Sequence, residues 1–93
     1  MSRTYSEEFL IELHKANPNR AGIALAHACV KAQLPAKYVA EALEVTRMTV
    51  YSWFRGRGVN EKNIRTINAF MSLVEEDVKS GRLPAKEIGR AHV

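Results

Sequence analysis

Apolar residues recur at helical spacing along nearly the whole chain, and no alternating run is long enough for a sheet. The pattern predicts five helices. Ser6 is a natural N-cap for the first, about Glu7–Ala16, with Glu7 and Glu8 at the positive end of its dipole. Phe9, Leu10 and Leu13 share one face, Ile11 points away, and Asn17-Pro18-Asn19 stops the helix because proline disfavours helical backbone at the residue before it. The second helix, about Arg20–Ala32, is apolar nearly all round. Ile23, Leu25, Ala26, Cys29 and Val30 leave only a stripe of Arg20, His27 and Lys31, so a central, buried helix is expected. Ala24, Ala26 and Ala28 would let neighbours approach it closely.

Gln33-Leu34-Pro35 turns the chain into a third helix, Ala36–Leu43, followed by a fourth, about Arg47–Arg55. Gly56-Arg57-Gly58 breaks the chain, and Asn60 caps a long final helix, Glu61–Lys79. Ile64, Ile67, Phe70, Met71, Val74 and Val78 form its apolar face, Leu73 lies off it, and Ser80-Gly81 ends it. The tail from Arg82 is expected to be mobile, apart from one turn after Pro84.

The third and fourth helices divide their residues sharply. Val39, Ala40 and Leu43 face inward on the third, as Val50, Trp53 and Phe54 do on the fourth, which Thr46 caps. Met48, Tyr51, Ser52 and Arg55 then lie opposite the core, with Arg47 and Thr49 flanking. Two short helices joined by a tight turn, the second displaying polar groups, is the pattern of a helix-turn-helix that lays its second helix in the DNA major groove.

Charge sharpens this. Between Arg47 and Arg65 stand Arg47, Arg55, Arg57, Lys62 and Arg65 against one acid, Glu61, and the remaining nine basic and nine acidic residues cancel. The whole net charge of +4 therefore surrounds the fourth helix, which favours a polyanionic partner. Ninety-three residues, 46% hydrophobic and 26% charged, suit one globular domain, residues 1–93. With no membrane-length apolar run, no signal-peptide pattern and one cysteine, the expected compartment is the cytoplasm.

His14, His27 and His92 share no ligand spacing, and there is no phosphate-binding glycine loop, nucleophile elbow or paired-carboxylate arrangement. Neither an enzyme nor a metal or other cofactor is expected. Glu75-Glu76-Asp77 reads as a solvated face, and Trp53, at core spacing, as packing rather than a base-stacking platform.

Residues 36–56 resemble the helix-turn-helix of the lambda repressor/Cro-like (XRE-class) family through Ala40, Leu43, Thr46, Val50, Trp53 and the closing Phe54-Arg55-Gly56. The resemblance spans about Arg20–Lys79 and implies an all-α, five-helix lambda repressor-like helix-turn-helix domain, here with an additional N-terminal helix. One position departs: the turn usually holds glycine, and here it holds Glu44. The extra helix, 7–16, is expected to cap the core or to make a dimer contact.

The resemblance implies base-edge contacts from Arg47, Met48 and Ser52, with Thr49 and Tyr51 nearby. It implies phosphate contacts from Lys37, Arg55, Arg57, Asn60 and Lys62. The expected function is sequence-specific binding of double-stranded DNA, as in a transcriptional regulator or repressor of phage, plasmid or bacterial type, without a membrane role. One small module commonly binds as a dimer, for which Ile11 and Leu73 are the candidate homodimer contacts. The rival expectations are a protein-interaction module or inhibitor that docks a host or partner protein through the same helix, and a non-specific architectural DNA binder.

Overall fold

The computed structural model describes residues 5–84. They form five helices: α1 (Glu7–Lys15), α2 (Ala21–Ala32), α3 (Ala36–Leu43), α4 (Arg47–Phe54) and α5 (Glu61–Lys79). No strand occurs among the described residues, and none of their helices is long and apolar enough to cross a membrane. The expected turn after Pro84, most of the tail and His92 lie outside the described residues.

Helix α2 is the hub, packing against α1, α4 and α5, while α3 packs against α4 and α5. Ile23, Leu25, Val39, Val50 and Ile67 are fully buried where these helices meet. Val30 and Leu43 are only partly buried, and the polar stripe Arg20, His27 and Lys31 is exposed as expected. Close approach to α2 falls at a residue that the sequence reading passed over. Gly22 sits so near α4 that a Cβ there would lie 2.2 Å from the Trp53 carbonyl oxygen.

Local hydrogen bonds account for the helix ends. The side chains of Ser6, Thr46 and Asn60 accept from the backbone N–H of Phe9, Thr49 and Asn63, each satisfying an otherwise orphaned donor. Four helices close by one pattern, in which a left-handed residue lets two N–H groups fold back onto the last carbonyls. At α2 this residue is Gln33 (φ 57°), with Leu34 N–H donating to the Cys29 carbonyl at 2.8 Å. At α3 it is Glu44 (φ 58°), with Val45 N–H donating to Ala40 at 2.9 Å. Gly56 and Gly81 do the same for α4 and α5.

Glu44 thus takes the conformation usually left to glycine, at a cost of about 1 kcal/mol. Three ends differ from expectation by one residue. Ala16 is extended rather than helical, Arg20 is an extended N-cap, and Arg55 is a cap because α4 is already closing on Ser52 and Trp53.

The segment before α1 is tied in by Tyr5. Its ring stacks on Phe9 with centroids 5.1 Å apart and meets Phe54 edge-on at 6.1 Å, and its buried hydroxyl donates to the Leu34 carbonyl. Of the two roles expected for α1, the described contacts give it the first: it covers the core beside Phe54.

Candidate nucleic-acid interface

Helix α4 is anchored by Val50, Trp53 and Phe54, all buried, so its remaining residues are turned outward. Met48 is 82% exposed and stands at the centre of the outward face. Arg47 and Arg55 are exposed, and Tyr51 is exposed while keeping a ring edge on Phe54 at 6.2 Å. Ser52 and Thr49 are half-buried. The Thr49 hydroxyl is hydrogen-bonded to that of Thr46 at 2.9 Å, so it is engaged in the cap at the start of the helix.

The expected phosphate-contacting residues are all exposed, on three segments. Lys37 stands in the first turn of α3, Arg55 and Arg57 follow α4, and Asn60 and Lys62 open α5. Arg57 is held to α4 by its backbone, whose N–H donates to the Ser52 carbonyl at 3.2 Å. Asn60 commits its side-chain oxygen to the α5 cap and keeps its amide group. The lone ion pair among the described residues is Arg82–Asp77 at 2.7 Å, far along the chain from this surface. The bases around α4 therefore carry no carboxylate partner there.

Ile11 and Leu73 are exposed, 51% and 62%, and stand on different helices. Ile11 borders a shallow depression built from α1 residues alone, with Leu10 and His14, while Leu73 belongs to α5. Two features of the surface were not expected from the sequence: the exposure of Tyr38 and the pairing of Arg20 with Arg57. Tyr38 on α3 is 50% exposed with its ring 6.4 Å from Phe70, and Arg20 borders a cleft with Arg57.

The chain matches no family model, no curated protein and no solved structure.

Away from this surface, Cys29 is fully buried, and burial pushes its thiol up to about 12. Burial, reinforced by the neighbouring Cys29 and Tyr51, holds the Tyr5 hydroxyl well above the ordinary tyrosine range. Both groups stay neutral at physiological pH, as packing residues rather than nucleophiles.

Proposed function

We propose that the chain is a lambda repressor/Cro-like helix-turn-helix protein that binds double-stranded DNA sequence-specifically, with α4 in the major groove, and regulates transcription. The observation that carries this reading is the division of α4: three buried anchors fix its orientation, while Arg47, Met48, Tyr51 and Arg55 are presented outward amid unpaired bases. Arg47 is suited to a bidentate guanine contact, worth about 1–3 kcal/mol of discrimination, and Met48 to a thymine methyl. Lys37, Arg55, Arg57, Asn60 and Lys62 fix register on the backbone phosphates.

Selection of bound duplexes from a random pool tests DNA binding and specificity together. Arg47→Ala is expected to relax sequence preference, and Lys62→Ala to weaken all duplexes alike. Equal effects from both would refute these roles. A second reading, a protein-docking module using the same helix, draws support from the exposure of Met48 at the centre of the presented face. Absence of binding to any duplex at low salt would favour it.

A further inference from the structure

The start of α2 and the loop after α4 are one packed unit. Gly22 lies against the Trp53 carbonyl, and the nearest side chain to Gly56 is that of Ile23, 3.6 Å from the position a Cβ would take. Beside this junction opens a cleft of about 310 Å³, bordered by Asn17, Asn19, Arg20, Arg57, Val59 and Ile64. Its polar residues come from two segments far apart in sequence, and it contains no carboxylate. Arg20 and Arg57 are both exposed, and neither has an acidic partner among the described residues. Two like charges at one cleft repel each other, and the half-buried Val59 and Ile64 lower the local dielectric, so the arrangement favours an anion arriving from outside.

We propose that Arg20 and Arg57 form a second anchor for the DNA backbone, each gripping one phosphate beside the one or more held by Lys62 and Asn60. This rests on the DNA-binding reading above and extends the interface from residues 36–62 back to the α1–α2 connection. The geometry suits it. Arg57 is tied by its backbone to Ser52 of α4, and α2 is locked against Trp53, so the anchor stands at a fixed distance from the outward face of α4. Its role is to set the angle at which α4 enters the groove, without reading bases.

The test is binding of a selected duplex across a salt series by fluorescence anisotropy, with Arg20→Ala, Arg57→Ala and, as control, Lys31→Ala. Lys31 is an exposed base on the same helix at its far end. Arg20 makes no side-chain cap bond, so its truncation leaves the fold intact, checked by a melting temperature at or slightly above that of the unaltered protein. Each cleft arginine removed is expected to reduce the slope of log K against log salt by about 0.9. The loss of affinity between about 50 and about 200 mM salt should then become about threefold smaller, equally for all duplexes. Arg20→Lys should keep most of the slope, and Asn19→Asp should weaken binding through repulsion of the phosphate. A wild-type slope for Arg20→Ala alongside a reduced one for Arg57→Ala overturns the anchor and leaves the DNA reading standing. Altered sequence preference in Arg20→Ala would assign it to bases and overturn the anchor too. Failure of the unaltered protein to bind any duplex overturns both proposals.

Discussion

Replacing Gly22 with alanine adds one methyl group where α2 and α4 have no room for it. The new Cβ would lie 2.2 Å from the Trp53 carbonyl oxygen, 2.7 Å from its carbon and 2.9 Å from its Cα. All three are backbone atoms, so no side chain can rotate away. Normal contact requires α2 to withdraw by roughly 1 Å, which loosens Ile23, Leu25, Ala26 and Cys29 from the core at the same time. Overpacking of this kind costs about 1–3 kcal/mol. Against it stands the better helix propensity of alanine, worth at most about 1 kcal/mol and less in a first turn.

A net loss of about 1–2 kcal/mol is expected for Gly22→Ala, which for a domain this size lowers Tm by about 4–16 °C. Thermal and urea unfolding followed by circular dichroism measure it. Gly58→Ala is the matched control: a Cβ there meets nothing within 4 Å, and its stability should stay within about 0.5 kcal/mol of wild type. The displaced peptide is also the one whose Trp53 carbonyl accepts Gly56 N–H at 2.9 Å and ends α4, so under the proposed function duplex affinity should fall with stability. A Gly22→Ala protein that melts at or above the wild-type temperature would refute the packing argument.

Further predictions concern caps, the Tyr5 tether and alkaline pH. Glu44→Gly should raise the urea midpoint, with about 0.5 kcal/mol gained as relief of left-handed strain exceeds the added chain entropy; a lower midpoint would contradict the strain. Thr46→Ala should lose about 1 kcal/mol, since the orphan N–H of Thr49 loses its acceptor, and an unchanged melt would show that the cap contributes nothing. Tyr5→Phe should also lose about 1 kcal/mol, because the Leu34 carbonyl is left without its buried donor. Stability should decline as pH rises above about 9: the Cys29 thiol, raised to about 12 in the fold, and the raised Tyr5 hydroxyl hold protons that the unfolded chain has released. Urea midpoints at pH 8 and 10.5 read this, and Cys29→Ala should remove part of the decline.

The helices and their inward faces were legible because each depends on residues within a few positions of one another. Ser6, Thr46 and Asn60 cap where they were expected to, and Val50, Trp53 and Phe54 are buried by the spacing that marked them. What escaped the sequence depends on partners far along the chain. Gly22 matters only because Trp53 lies against it, Tyr5 only because the Leu34 carbonyl is within reach, and Arg20 only because the fold sets it beside Arg57. The small residues expected at the tightest approach were the alanines of α2, a reading that treats every small side chain alike. Gly22, the one position of α2 with no side chain at all, makes a close approach that this reading did not mark.

Local rules also fail in a pattern. Helices α1 and α5 carry acids in their first turns, Glu7, Glu8 and Glu61, as the dipole favours. Helices α2, α3 and α4 carry none, and instead set Arg20, Lys37 and Arg47 at or beside their starts. A base at the positive end of a helix costs about 0.3–1 kcal/mol at low salt, so three such placements oppose folding. They occur in the consecutive helices that build the proposed interface, and a polyanion lying across those helix starts would turn each penalty into an attraction. Where local preferences conflict with the fold at several neighbouring sites, function is the usual compensation. On this argument Arg47→Glu should make the isolated protein slightly more stable while abolishing duplex binding. A variant that loses stability and binding together would mean that Arg47 is held there by the fold itself.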